Sequence, residues 1–460
     1  MAASAQHFVP ERAIETIADF IADPVEAAQF PSHKIRFRND RAADQIGLSE
    51  ISDARWTDHF GRFEALPGSL PQPLALRYHG HQFRVYNPDI GDGRGFLFGQ
   101  CRDVSGRLMD LGTKGSGQTP YSRFGDGRLT LKGAVREVLA TEMLEAFGVE
   151  TSRTLSVIET GEALHRGDEP SPTRSAVLVR LNHGHIRIGS FQRLATLGLT
   201  KELERLVDYS LRHYFCEEGG GDGPFRLLTR VAERTGRLAA SYMAAGFVHG
   251  VLNSDNINIT GESFDYGPWR FAPTFDPGFT AAYFDQSGLY SFGRQAEAIH
   301  WDVVQLAIAL RSIAEGDPLA RAIEAFAPAY RAALIERMLA RLGVASRVED
   351  DDTQLVHAVE KALVSSSAST DRFFFDWRGG DLRTSKADYA DAAFDEFRSA
   401  VAAYEPSAPL THDYWSAPDP CAMLIAEVET IWAPIAEHDD WSRFDAKVSA
   451  IRRMGAALAG

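Results

Sequence analysis

The strands and helices that the sequence predicts are segregated along the chain, and this order constrains the fold more than any other feature. Between residues 78 and 181 the patterns are mainly of strand type, with one predicted helix over Leu131–Phe147. Helical patterns then dominate, over Lys201–Cys216, Pro224–Ala245 and Ile299–Ile313, and most of residues 316–460. Because strands do not alternate with helices throughout, an α+β fold is favoured over a doubly wound parallel sheet. Apolar residues at helical spacing predict a further helix over residues 11–29.

Composition excludes several classes of function. The 460 residues carry a net charge of −15, so a non-specific nucleic-acid binder is disfavoured, because phosphate backbones need a basic face. The three cysteines, Cys101, Cys216 and Cys421, form no CxxC pair, which speaks against a disulfide framework or a zinc site. No stretch is apolar and long enough for a transmembrane helix, and none has signal-peptide character. We therefore expect a cytoplasmic protein without membrane or nucleic-acid partners.

A glycine-rich segment, Gly91-Asp-Gly-Arg-Gly95, stands between two apolar stretches. The flanking Phe83–Tyr86 and Phe96–Phe98 predict a hairpin with this segment as its turn. A loop without Cβ atoms lets backbone N–H groups approach phosphate oxygens. A plain hairpin turn is the alternative.

Lys114 ends the next predicted strand, and Glu137 lies on the predicted helix that follows. In kinases a strand lysine holds nucleotide phosphates and pairs with a helix glutamate. The two residues match that arrangement, although a surface salt bridge is the alternative for an isolated pair. Arg180 and Arg187, expected on neighbouring strands, could converge on a phosphate or be plain surface charges.

The strongest pattern is a loop from His249 to Asn256 that is followed by Asp265 in Phe-Asp-Tyr-Gly. Kinase-like phosphotransferases use His-x-Asp-x-x-x-x-Asn and then an aspartate, and the Asn and Asp oxygens bind Mg²⁺. Here Val251 stands where the catalytic aspartate is expected, and valine cannot accept a proton. Either the chain is an inactive kinase or another carboxylate serves, for which Asp255 is the obvious candidate. The histidine pairs His79/His81 and His183/His185 have spacing that could bind a metal, but polar turn and strand residues are the plainer interpretation.

These segments together resemble the selenoprotein O family, also called YdiU. The resemblance covers about residues 35–310, and its motifs are long, specific and in order. It rests on Gly80-His-Gln-Phe83, Gly91-Asp-Gly-Arg-Gly95, Lys114-Gly-Ser-Gly117, Thr119-Pro-Tyr-Ser-Arg123, Gly125-Asp-Gly-Arg128, Arg136-Glu137, His249-Gly250, Asp255-Asn256 and Phe264-Asp-Tyr-Gly-Pro268. Arg84 departs from the pattern, since a glycine is common there in the family.

The resemblance implies a protein-kinase-like fold of two lobes that binds ATP in a flipped orientation and transfers AMP to Ser, Thr or Tyr hydroxyls of proteins. It implies that Asp255 is the base and that Asn256 and Asp265 bind Mg²⁺, with Mn²⁺ possible. It further implies a nucleotide-binding set in which Lys114 pairs with Glu137 and the two arginines hold the γ-phosphate: Gly91, Gly93, Arg94, Lys114, Asp126, Gly127, Arg180, Arg187 and Asp265.

The predicted organisation follows from these assignments. An N-terminal extension spans residues 1–74, a β-rich lobe with the nucleotide loop 75–200, a helical lobe with the metal-binding loop 201–315, and a helical C-terminal region 316–460. Three alternatives to AMP transfer stay open: uridylyl transfer from UTP with Mn²⁺, phosphotransfer of the aminoglycoside-kinase type, and an inactive nucleotide-binding scaffold. Val251 argues against phosphotransfer, and retention of Lys114, Glu137, Asn256 and Asp265 argues against a scaffold.

Overall fold

The first part of the fold is an antiparallel sheet of nine strands in the order β2-β4-β7-β8-β11-β10-β3, with β1 paired to β7 and β9 to β11. The computed structural model describes residues 7–167, 169–383 and 389–459. Two small hairpins, β5-β6 and β12-β13, stand apart from the sheet. The strands are β1 Val9–Glu11, β2 Ala22–Pro24, β3 Lys34–Arg38, β4 Leu74–Leu76, β5 Gly80–Gln82, β6 Val85–Asn87, β7 Leu97–Arg102, β8 Leu108–Lys114, β9 Leu129–Thr130, β10 Arg153–Leu164, β11 Thr173–Asn182, β12 Phe247–Val248 and β13 Arg270–Phe271.

Helices make up most of the chain after the sheet. Only the first four α-helices precede the end of β11. They are α1 Ala18–Ile21, α2 Asp40–Asp44, α3 Asp53–Phe60, α4 Leu131–Ala146, α5 Ile188–Thr196, α6 Thr200–Tyr214, α7 Gly223–Ala245, α8 Gln295–Leu310, α9 Gly316–Ile323, α10 Phe326–Leu342, α11 Glu349–Ser365, α12 Thr370–Asp376, α13 Asp395–Val401, α14 Ile425–His438 and α15 Ser442–Ala459.

Alternation along β11 divides its apolar side chains between two cores, because successive strand residues point to opposite faces. Val177 and Val179 pack in an aromatic cluster with Trp56 and Phe60 of α3. Leu178 packs in the larger core, which also holds the buried stripe of α4 and much of α5–α8. The sheet is therefore covered on both faces, and the helical half is joined to it through one continuous core.

The helix α4 begins where the side chain of Thr130 accepts a hydrogen bond from the backbone N–H of Gly133. Its apolar stripe, which includes Val135, Leu139 and Met143, is fully buried. This packing fixes the face of α4 that carries Glu137 against the sheet, which positions one member of the candidate site.

The predicted α+β fold, with a β-rich part followed by a helical part, is confirmed. A curled antiparallel sheet with one long helix precedes a helical half, and a lysine of the sheet is paired with a glutamate of that helix. The predicted helices near 131, 201, 224 and 299 are present as α4, α6, α7 and α8. The domain boundaries at 74, 200 and 315 stay predictions, although β1–β3 of the first 74 residues belong to the main sheet.

Two local predictions are wrong. Residues 11–29 do not form one helix, because β1 and β2 pair with β7 and β4 and leave only short helical turns between them. The predicted hairpin around Gly91–Gly95 does not form either, since β6 turns back on β5 rather than onto β7. The turn of that tight hairpin holds Phe83 and Arg84 at φ values of 50° and 62°. This left-handed backbone favours glycine, which gives a physical reason for the glycine that the family commonly has at Arg84.

Within the part of the chain that the structure describes, no helix is both long and apolar enough to cross a lipid bilayer.

Candidate functional site

A cavity of about 720 Å³ is lined by residues of the sheet and of the loops that follow α7. Glu137 is the only predicted site residue that does not line it, and it lies behind Lys114. The predicted residues that line the cavity are Gly91, Gly93, Arg94, Lys114, Asp126, Gly127, Arg180, Arg187, Asp255, Asn256 and Asp265. In a chain of net charge −15, seven Lys and Arg side chains against four Asp side chains make these walls cationic.

Lys114 ends β8 and projects from the sheet toward α4. Its Nζ lies 2.6 Å from Oε2 of Glu137 and 3.3 Å from Oδ1 of Asp265. All three side chains are largely buried, and Oε1 of Glu137 has no hydrogen-bond partner among the described residues. The lysine is thus held between two carboxylates, and its ammonium group faces the cavity at a fixed place.

Asp265 forms an ion cluster with Lys114, Arg180 and Arg187, which we call the inner cluster. Arg180 contacts Oδ1 of Asp265, and Nη1 of Arg187 lies 2.6 Å from Oδ2. Burial alone would raise the pKa of Asp265, but Arg180, Arg187 and Lys114 hold it well below its usual range. Asp265 is therefore an anion that already neutralises part of the positive charge of this wall.

The sequence predicted Arg187 on a strand next to that of Arg180, and this prediction is wrong. Arg187 is the N-cap residue of α5, and Arg180 lies on β11. Its guanidinium lies 4.3 Å from the ring of Tyr78 and 4.7 Å from that of Phe264, so its orientation is fixed by two aromatic faces. The two arginines nevertheless converge, because both contact the same carboxylate of Asp265.

Asp92 is a charged member of the site that sequence reasoning missed. One of its oxygens lies 3.3 Å from Nη2 of Arg187, and the other accepts a hydrogen bond from the backbone N–H of Leu76. Burial raises the pKa of Asp92, and Arg187 opposes that shift. Its position between Gly91 and Gly93 could have identified it as a site residue, since a carboxylate inside a predicted phosphate-binding loop needs a cation nearby.

The loop from His249 to Asn256 is held at several points. The backbone N–H of His249 donates to Oε1 of Gln295, and the backbone N–H groups of the β5-β6 hairpin donate to Asn253 and Ser254. Nδ2 of Asn256 donates to the carbonyl of Val251 at 3.1 Å. The amide oxygen of Asn256 is thereby left as its available acceptor, in a residue that lines the cavity.

Asp255 is buried and only partly satisfied. Gly80 and Gly189 pack directly against it. A Cβ atom added at Gly80 would lie 3.0 Å from the Cβ of Asp255. Its Oδ1 has no hydrogen-bond partner among the described residues. Burial raises the pKa of Asp255 to about 6, an effect that Arg187 opposes and Asp265 reinforces. This carboxyl can accept a proton more readily than an exposed aspartate can.

The glycines of the Gly91–Gly95 segment have a structural role that differs from the predicted one. A Cβ atom at Gly91 would lie 2.5 Å from the ring of Tyr121, and one at Gly93 would lie 2.9 Å from the carbonyl of Tyr121. Both glycines therefore let the Thr119–Gly127 loop close over this segment. Whether their N–H groups also contact phosphate stays a prediction.

The outer rim of the cavity is formed by the second glycine-rich loop. Asp126 accepts hydrogen bonds from the backbone N–H of Arg128 and from Nη2 of Arg166, each at 3.0 Å. Although burial opposes it, these arginines lower the pKa of Asp126. Arg128 and Arg166 line the cavity and were not among the predicted site residues, although Arg128 ends the Gly125-Asp-Gly-Arg128 motif.

The histidine pairs do not form a metal site. His79 and His81 are hydrogen-bonded to Tyr86 and Gln192, and His183 and His185 to Leu108 and Asp110. Among residues 7–167, 169–383 and 389–459, no group of three or more His, Cys, Asp or Glu side chains could hold a metal ion.

The side chains of Asn256 and Asp265 fit a divalent metal. Both present hard oxygen atoms to the cavity, which suits Mg²⁺. Mg²⁺ commonly takes only one or two protein ligands and completes its shell with phosphate oxygens and water, so the small donor set is no obstacle.

Comparison with known proteins connects this geometry to a family. Residues 5–452 match the family described as protein adenylyltransferase SelO. A protein nucleotidyltransferase YdiU from Synechocystis sp. is 43% identical to the chain, covering 96% of it and 97% of the relative. Those from Synechococcus elongatus and Gloeobacter violaceus are 42% and 43% identical, covering 97% and 96% of the chain and 95% of each relative.

Among solved structures, ROP2 from Toxoplasma gondii, described as a virulence factor with a protein-kinase fold and no enzymatic activity, is 11% identical with a TM-score of 0.28. The match covers 79% of this chain and 95% of that one. A TM-score this low supports no conclusion about the present chain.

Proposed function

The chain belongs to the family of protein adenylyltransferase SelO, and from that membership we propose that it transfers AMP from ATP to a Ser, Thr or Tyr hydroxyl of an acceptor protein and releases pyrophosphate. Membership itself makes the chain a protein nucleotidyltransferase, with a nucleotide and a protein as substrates. The choice of AMP, the acceptor hydroxyl and the orientation of the nucleotide are the proposed parts.

One observation carries the proposed orientation: the inner wall of the cavity holds Arg180 and Arg187, which are only 3% and 2% exposed. A nucleobase needs a largely apolar pocket with a few hydrogen-bonding groups. Two buried guanidinium groups beside Lys114 suit the oxygens of a polyphosphate instead. We therefore orient the triphosphate with its γ-phosphate at the arginines and its base toward the rim.

This orientation determines which phosphorus atom reacts. With the γ-phosphate at Arg180 and Arg187, we place the α-phosphate beside Asp255 and Asn256, which line the same cavity. The acceptor oxygen attacks the α-phosphorus, and the bond from that phosphorus to the α,β-bridging oxygen breaks. The hydroxyl proton passes to Asp255, and pyrophosphate leaves with its developing charge stabilised by the arginines and Lys114.

The orientation also gives a reason for Val251. A kinase needs a carboxylate at that place because its γ-phosphate reacts there. When the γ-phosphate is bound at Arg180 and Arg187 instead, no carboxylate is needed at Val251, and Asp255 serves as the base.

Asn256 and Asp265 would hold a divalent metal, Mg²⁺ or Mn²⁺. When bound, the metal supplies positive charge to the phosphate oxygens. Asp265 contributes in a second way, because its contacts orient Arg180, Arg187 and Lys114 before any nucleotide arrives. Phosphate oxygens then share these cations with Asp265, and the metal offsets the added negative charge.

The proposal is tested by incubating the protein and a candidate acceptor with Mg²⁺ and ATP labelled at either the α- or the γ-phosphate. Label in protein from the α-position alone supports nucleotidyl transfer, and label from the γ-position alone would mean that the chain is a kinase. Parallel reactions with α-labelled UTP and with Mn²⁺ determine whether AMP or UMP is the transferred group. An Asp255→Ala variant, in which nucleotide should still bind, is the matched control for label that binds without transfer.

A further inference from the structure

Phe124 is the most exposed large hydrophobic side chain among the described residues, at 106% of its reference area. It also lines the cavity, at the exposed rim, whereas the inner cluster is buried. Single exposed apolar side chains are common on protein surfaces. This one stands at the edge of the cavity, and the proposed reaction steps give it no role.

The backbone presents the ring of Phe124 at the apex of a tight turn. The N–H of Gly125 donates to the carbonyl of Ser122 at 2.7 Å, so Arg123 and Phe124 are the two central residues. Arg123 has a φ of 53°, in the left-handed region that non-glycine residues seldom adopt. The chain thus tolerates a strained residue to direct Phe124 away from the protein.

Both arms of this turn are fixed. Oγ of Ser122 donates to the carbonyl of Gly93 at 2.5 Å, and Nε2 of Gln118 donates to the carbonyl of Gly125 at 2.8 Å. The position of the ring is therefore set by contacts of its neighbours rather than by its own packing. A ring held in place but left uncovered is prepared to meet a ligand with a flat apolar face.

Two of the neighbouring cations at the rim are already occupied. Arg128 lies 2.8 Å from Glu162 and covers the ring of Phe30, and Arg166 lies 2.8 Å from Asp126. Among the described residues that line the cavity, Phe124 is the one large apolar side chain that is exposed.

We propose that Phe124 is the platform on which the nucleobase of the bound nucleoside triphosphate stacks. The inference rests on the proposed orientation, in which the inner cluster takes the phosphates and the base points to the rim. Stacking on one aromatic ring does not read hydrogen-bonding edges, and a larger base gains more from it. Phe124 therefore favours purine over pyrimidine nucleotides modestly and does not distinguish one purine from another.

The test measures equilibrium binding of ATP, UTP and inorganic tripolyphosphate, each with Mg²⁺, to the full chain and to Phe124→Ala. Alanine in place of a stacking ring removes the base–ring contact and weakens binding of the base. With one ring on one face we expect ATP affinity to fall about 5- to 30-fold and UTP affinity less. Tripolyphosphate has no base, and its affinity should change less than about twofold.

Two further variants separate stacking from other effects. Phe124→Trp keeps an aromatic face and should restore ATP affinity, whereas Phe124→Leu keeps only apolar character and should not. Val85→Ala is the matched control, because Val85 is 69% exposed but does not line the cavity. It should leave all three affinities unchanged.

Equal losses for all three probes, or no loss for ATP, would overturn the inference. If nucleotide affinities are unchanged while the KM for the acceptor protein rises, Phe124 contacts the acceptor instead and the inference is wrong. Failure of the proposed function is distinguishable, because it appears as γ-label in protein while the binding pattern of ATP, UTP and tripolyphosphate stays as expected.

Discussion

The inner end and the rim of the cavity are built in opposite ways. At the inner end Lys114, Arg180 and Arg187 are buried and oriented by Asp265 before any ligand is present. At the rim Phe124 is exposed on a turn that only its neighbours hold. Preorganised charge gives strong and specific binding of a polyphosphate, whereas an exposed ring gives weak and tolerant binding of a base. The effects of substitutions at the two ends should therefore differ in size, and in whether they change transfer or the binding of the base.

The largest effect is expected at Asp265. Asp265→Ala removes a predicted metal ligand and the anion that orients three cations, so we expect transfer to fall by about 10³-fold or more. It also leaves buried positive charge unpaired, which should lower the free energy of unfolding by about 3–5 kcal/mol. Single-turnover transfer rates and urea unfolding measure the two effects.

Asp302→Asn is the matched control, because it replaces a buried carboxyl that is not part of an ion cluster in the described part of the chain. Asp302 is also buried, but neither of its oxygens has a hydrogen-bond partner among the described residues, and burial raises its pKa well above the usual range. Burial therefore favours its protonated form, and its amide isostere should cost far less stability than Asp265→Asn. Similar costs for the two would contradict the role assigned to the inner cluster.

The next largest effect is expected at Asp255. Asp255→Ala should lower transfer by about 10²–10⁴-fold, as for loss of a general base, while nucleotide still binds. The comparison is with Asp255→Asn, which keeps the shape and removes the ability to accept a proton. Near-full activity of the asparagine variant at normal stability would defeat the general-base role and leave positioning as the main contribution of this loop.

The sequence predicted the parts of this architecture that local pattern determines. The long helices and the strand that ends at Lys114 follow from periodicity, and Glu137 follows from its place on the helix after that strand, as in kinases. Residues 11–29 were mispredicted because apolar spacing in short segments does not reveal strand pairing with β4 and β7.

The site was predictable only where its motifs are contiguous. Asn256, Asp255 and Asp265 lie within one short stretch whose order carries a chemical meaning. The pairing of Arg187 with both Asp92 and Asp265, across long sequence separations, depends on how α5 begins beside β11. Phe124 carried no signal at all, because an exposed aromatic residue in a loop looks the same with or without a cavity beneath it.

A smaller and more selective effect is expected at Arg187. If it binds the γ-phosphate, Arg187→Ala should weaken ATP about 10- to 150-fold, the value of a hydrogen bond to a charged group, and weaken ADP much less. Isothermal titration with both nucleotides measures the ratio. Loss of the contact to Asp265 affects ATP and ADP alike, so equal losses would place the γ-phosphate elsewhere.

The most direct test of the account is to find which end of the cavity the base occupies. ATP carrying a photoreactive azido group on the adenine can be cross-linked to the protein, and the modified residues identified by mass spectrometry. The account predicts cross-links within residues 119–128, at the rim that carries Phe124. Cross-links within residues 180–187, at the inner end, would mean that the base and not the polyphosphate meets the buried arginines, and would contradict the central claim.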